Sequence, residues 1–221
     1  MNLNVLFPLQ LTMSLRKEKA ARLKLAVLEH TVKLIGKKPF DDLYVDDICL
    51  KVKISKVTLF KYFPKKEDIL AYYFRVWCLR RSVEFSEKPR EGSQGILALF
   101  DRLCEDFDSH PGIILSVVAY LSNPKRPPKP FPLKAEEKKF LFPQLQRVEE
   151  IDILSIDQML EKFALEAIFR KEITKISSSK DVTHLLSTLF YGSVVTLHLN
   201  QISPSRNFVR KNVELLLKGL Q

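Results

Sequence analysis

Glycine is scarce in this sequence, with six in 221 residues. Folds made of many tight turns need more of it, so a many-stranded all-β architecture is disfavoured. Cysteine is also sparse. Cys49, Cys78 and Cys104 are an odd count at wide spacings, which supplies neither a disulfide framework nor a zinc pattern. A reducing, cytoplasmic setting is therefore expected. No G-x-S-x-G, G-x-G-x-x-G, P-loop, H-E-x-x-H or E-x-x-H signature occurs. No catalytic residue, metal ligand or cofactor is expected. Asp157 and Glu161 are carboxylates on one helix with no histidine near them in sequence. No run of about 20 apolar residues is found, so no membrane span is expected. The first 14 residues lack charge altogether. Without a basic start, with Pro8 inside and no small-residue cleavage site before Arg16, residues 1–15 read as a flexible or loosely docked tail, not a signal peptide.

Apolar residues are plentiful, at 46% of the chain, enough for a substantial core. Positive charge is in excess. The formal net charge is +10, which favours an anionic partner such as nucleic acid or a membrane surface. The excess is densest near the N-terminus: residues 15–70 carry 14 basic against eight acidic side chains. Six lysines fall between Lys51 and Lys66 with no acid among them.

Apolar residues recur at helical spacing along nearly the whole chain. Leu23, Val27, Leu28, Thr31, Leu34 and Ile35 place one face on a helix over Lys17–Ile35, stopped by Gly36 and Pro39. Further helices are predicted over Lys65–Phe85, Ile96–Phe107, Ile113–Leu121, Asp152–Phe169, Val182–Asn200 and Asn207–Leu220, with a weaker one over Glu136–Arg147. Lys88–Gly95 reads as a loop. Asn123–Pro132, half proline, reads as an exposed, extended linker. Ser177–Ser179 is a break, and Asp181 is placed to cap the helix after it.

Val45–Phe63, VDDICLKVKISKVTLFKYF, has the layout of a helix-turn-helix. Val45, Ile48, Cys49 and Val52 give a first short helix, with Asp46 and Asp47 at its positive end. Ser55 is a good N-cap for a second, which Pro64 keeps short. At 100° per residue Leu59, Tyr62 and Phe63 face inward. Val57, Phe60 and Lys61 face outward, with Lys56 and Thr58 at the margins. Lys66 and Glu67 then open a long helix whose free N–H groups can receive a phosphate.

These residues resemble the TetR family of transcriptional regulators. The resemblance lies in Ile54, Ser55, Thr58, Leu59, Phe60, Phe63, Lys66, Glu67, Ile69 and Leu70, in Val45, Asp47 and Ile48, and in Val27, Leu28, Leu34, Ile35 and Phe40 upstream. It implies an all-α protein with an N-terminal helix-turn-helix domain over residues 16–66 and a larger helical domain, 67–221, that binds an effector and dimerises. It implies double-stranded operator DNA as partner, with Tyr44, Ser55, Lys56, Val57, Thr58, Phe60, Lys61 and Lys66 at the DNA. It also implies a homodimer through Val182–Asn200 and Asn207–Leu220. Departures are visible. Tyr44 stands where Ser or Thr usually caps the second helix, and Lys53 replaces the usual turn glycine. Val57 stands where glycine is common, and Phe60 lacks the usual tyrosine hydroxyl.

Trp77, Phe107, Tyr120, Phe163 and Tyr191 are candidates to line a pocket for a small apolar or aromatic effector, although aromatics at helical spacing are more often plain core. His184 and His198 lie 14 residues apart on one helix, too far for one metal site. The alternative reading is a helical adaptor or membrane-surface protein whose lysines form a solvated face without specific DNA binding.

Overall fold

A computed structural model describes residues 6–125, 131–175 and 178–221, with side chains from Leu15 onward. Among the described residues ten α-helices follow one another: α1 (Leu6–Ile35), α2 (Val45–Val52), α3 (Lys56–Tyr62), α4 (Asp68–Glu87), α5 (Gly92–Ser109), α6 (Pro111–Leu121), α7 (Ala135–Leu141), α8 (Ile156–Phe169), α9 (Ser179–Leu199) and α10 (Arg206–Leu220). No β-strand occurs among the described residues.

The observed boundaries refine the sequence reading in instructive ways. The stretch read as a loose tail is helical from Leu6, because Pro8 falls in the first turn, where its missing N–H costs nothing. The loop expected over Lys88–Gly95 ends early: α5 begins at Gly92, its N–H bonded to Glu166 Oε2 at 3.0 Å and the Ser93 N–H to Glu172 Oε2 at 2.8 Å. The eighth helix starts at Ile156 rather than Asp152. Ser155 Oγ accepts from the Gln158 N–H, and the Gln158 side chain accepts from the Ser155 N–H, which fixes the start. The ninth is capped by Ser178, whose hydroxyl accepts from the Asp181 N–H, and not by Asp181 itself. Part of the expected break at 177–179 lies outside the described residues, as do 126–130 of the expected linker.

α1, α2 and α3 form a compact head. α5, α6, α8, α9 and α10 form the main bundle, with α4 running between the two. One apolar core runs through both, from Val27 to Leu220. α6 presses its first turn on the end of α1. The Gly112 N–H donates to Gly36 O at 3.2 Å, and a Cβ on Gly112 would lie 2.7 Å from that same oxygen. Next to it the Phe40 N–H donates to Ser116 Oγ at 3.1 Å.

Contrary to the expectation of no span, α9 is long and apolar enough to cross a membrane by length and composition. One apolar face of it has partners within the fold, however. Val182, Leu186, Phe190, Val194 and Leu197 are all buried in the core shared with α8 and α6.

Candidate nucleic-acid interface

α2 and α3 are joined by Lys53–Ser55. Lys53 adopts φ 59°, ψ 48°, the left-handed region where glycine is usual. Its N–H closes α2, and the Ile54 N–H reaches Cys49 O at 3.0 Å. Lys53→Gly is expected to raise stability by about 0.5–1 kcal/mol, the relief of the left-handed residue less the added freedom of the unfolded chain. A urea midpoint that does not rise would contradict this.

Ser55 caps α3 as its residue type suggests. The Thr58 N–H donates to Ser55 Oγ at 3.1 Å, and the two hydroxyls lie 2.9 Å apart. Leu59 and Phe63 are fully buried, which orients the helix. The opposite side is open: Val57 is 81% and Phe60 40% exposed, and Lys56 and Lys61 are exposed beside them. Thr58 lies half-buried at the margin. Tyr44 is the N-cap of α2, makes no side-chain cap bond and is 73% exposed. Six of the eight candidates, Ser55, Lys56, Val57, Thr58, Phe60 and Lys61, thus lie on α3 or cap it, while Tyr44 precedes α2 and Lys66 lies between α3 and α4.

Two contacts made by these residues were not legible in sequence. Asp46 of α2 holds Lys56 at 2.8 Å, and its hydrogen bond and charge push the Lys56 ammonium above its usual range. Lys66 donates to Asp41 O at 3.1 Å and lies 4.7 Å from the centre of the Phe40 ring. Both contacts cross between elements, so no local pattern announces them. α4 begins at Asp68, later than expected. The Asp68 carboxylate accepts from the Lys65 N–H at 2.8 Å, so this N–H is already occupied by an internal acid.

The effector candidates separate. Trp77 and Tyr191 line a cavity of about 30 Å3 together with Tyr73, Phe74, Phe190 and apolar residues of α5, α6, α8 and α9. Phe163 packs elsewhere, edge-on to Phe85 at 5.1 Å. Phe107 is buried outside that lining, and Tyr120 borders an open groove of about 760 Å3 beside Phe40, Gly112 and His198. Among the described residues no cluster of three potential metal ligands occurs.

Residues 27–73 match the family described as bacterial regulatory proteins, tetR family. No curated protein sequence matches the chain. Solved structures share its fold, among them the following three. FadR from Bacillus subtilis, in complex with stearoyl-CoA, has a TM-score of 0.63 at 15% identity, covering 89% of this chain and 99% of that one. A TetR transcriptional regulator from Rhodococcus sp. RHA1 has a TM-score of 0.57 at 15% identity, covering 93% and 100%. Reduced NemR from E. coli has a TM-score of 0.56 at 12% identity, covering 86% and 95%. The chain carries the TetR-family helix-turn-helix domain and, over most of its length, the fold of TetR-type regulators.

Proposed function

We propose that this protein is a sequence-specific transcriptional repressor that acts as a homodimer on a pseudo-palindromic operator and responds to an apolar effector. The observation that carries the reading is α3 itself. Its back is sealed by Leu59 and Phe63, while Val57, Phe60 and Lys61 project freely from its front. A short helix so anchored can enter the major groove, with Val57 and Phe60 against base edges and the lysines on phosphates. Residues 16–66 serve as the reading head and 67–221 as the effector and dimer domain.

α9 supports the dimer. Leu185, Thr188, Gly192, Val195 and Leu199 form an exposed stripe with alternating spacings of three and four. A Cβ on Gly192 would meet nothing within 4 Å, so a second helix can approach closely there. Leu215 of α10 and Leu165 and Phe169 of α8 are exposed as well.

The cavity beside Trp77 supports an effector that acts by conformation. At about 30 Å3 it has room for little more than one water, and its lining is apolar and aromatic. An uncharged apolar ligand, or an acyl chain of the kind FadR's complex contains, would have to spread α4, α6 and α9 to enter. The spread state and the DNA-competent state then exclude each other, which is repression relieved by linkage.

Selection of random duplex DNA on the purified protein tests the reading. Two related half-sites about 34–36 Å apart, or a multiple, are expected. On the selected duplex, Lys61→Ala and Lys66→Ala should each weaken binding to all sequences and flatten the salt dependence by about one ion. Val57→Ala should instead alter base preference at one position per half-site. General, salt-sensitive binding without any enriched sequence would leave the lysines as a solvated face and favour the adaptor reading.

A further inference from the structure

Next to the end of α3, four separate stretches of chain meet around one buried ion pair. Lys24 of α1 and Glu137 of α7 approach to 3.0 Å and are 8% and 1% exposed. The Lys24 ammonium also lies 5.2 Å from the centre of the Tyr72 ring and 4.9 Å from that of Phe131. Phe131 stacks on Phe63 with ring centres 5.6 Å apart and planes at 21°, and Tyr72 meets both rings edge-on. Phe63 is the residue that closes α3. The same Glu137 accepts from the Lys134 N–H at 2.8 Å, which fixes the start of α7. Along the same α1–α7 contact, Arg22 lies over Phe140 at 4.8 Å and Lys17 reaches Glu136 at 3.9 Å.

Two charges out of water are costly unless matched, so such a pair holds its surroundings in one arrangement and is a poor source of stability alone. Here it joins the first helix of the head to a helix contributed by the rest of the chain, 113 residues away. The proline-rich segment before α7 was expected to be an exposed linker. Its end instead stacks Phe131 on Phe63, the residue that caps α3.

We infer that Phe131 and α7 belong to the DNA-reading apparatus, with Glu137 as a positioning residue that sets the orientation of α3 through Lys24, Phe131 and Phe63. This rests on the proposed DNA-binding function. Glu137 touches no DNA-facing side chain. It latches α1 against α7, and the latch presses the aromatic stack onto the base of α3. Movement of α7 would then shift the reading head without passing along α4.

The test uses the full chain with Glu137→Gln, which keeps the side-chain bond at the start of α7 but removes the charge. Hydrogen exchange by mass spectrometry should rise roughly ten-fold in peptides covering residues 17–28 and 56–63, with α9 unchanged. Affinity for a duplex selected by the parent protein should fall roughly ten-fold at a temperature where the helical signal is intact. A purely structural role predicts faster exchange throughout, in step with melting. Parent-like protection at 56–63, or a uniform rise, overturns the inference. The double variant Lys24→Met, Glu137→Gln removes the lone buried cation. Full recovery of protection and affinity in it would also overturn the inference; recovered melting with a still-loose α3 supports it. Should Glu137→Gln fail to fold, Phe131→Ala must give the same local pattern. If the parent selects no duplex, the DNA reading fails, while exchange at 56–63 still judges the latch.

Discussion

Phe163→Ala should lower stability by about 3–5 kcal/mol, the usual cost of emptying an aromatic site in a closed core. Phe163 is 1% exposed and lies across the contact between α5 and α8, edge-on to Phe85. Its ring occupies the space that a side chain at position 95 would fill. A Cβ on Gly95 would come within 2.7 Å of Phe163 Cγ. The ring is rigid and enclosed, so it cannot swing aside. Gly95→Ala alone should therefore lose about 1–3 kcal/mol to overpacking, reduced by about 1 kcal/mol of helix propensity. In the Phe163→Ala background the same change has room and should become neutral or stabilising. Urea denaturation of the two single variants and the double gives the coupling directly. Additive losses would show that α5 and α8 adjust their separation freely.

Alkaline pH should unfold the protein sharply. Burial pushes the Cys78 thiol from an ordinary 9.0 up to about 12, and Cys104 up to about 11. Burial also raises the phenols of Tyr72, Tyr73 and Tyr191. Native thiols keep their protons where unfolded ones lose them. The resulting stability is complete below about pH 9 and is lost as pH rises toward the native values. Each group removes about 1.4 kcal/mol per pH unit, so the two thiols together take roughly 5 kcal/mol by pH 11. Denaturation midpoints at pH 8 and pH 11 measure this, and equal midpoints would refute it. The same burial predicts that a thiol reagent at pH 8 labels the three cysteines slowly in the native state and rapidly in denaturant. A direct thiol-based redox response, in the manner of an exposed low-pKa cysteine, does not fit these positions.

The helices were legible because their signals are local. Ser55 announces the start of α3, Pro64 its end, and the spacing of Leu59 and Phe63 its buried side, all within ten residues of chain. The strained turn at Lys53 could be anticipated only through the family resemblance, in which a glycine is usual at that position. Boundaries failed where long-range partners decide them. The first turn of α5 is held by Glu166 and Glu172, more than 70 residues away, and no window around Gly92 contains them.

The candidate site divides in the same way. Sequence alone determined that the protein is helical, that its positive charge concentrates near one end, and which side chains of α3 face outward. These follow from residue type and a 100° repeat, which a chain carries in itself. Only the tertiary structure decided that Asp46 holds Lys56, that Lys66 rests on Phe40, and that Trp77 and Tyr191 share a cavity while Phe107, Tyr120 and Phe163 do not. It also decided that Lys24 and Glu137 form a buried pair beside the stack of Phe131 on Phe63. Such contacts depend on how whole helices cross. A crossing is set by the summed packing of many side chains from distant parts of the chain, which no local pattern records.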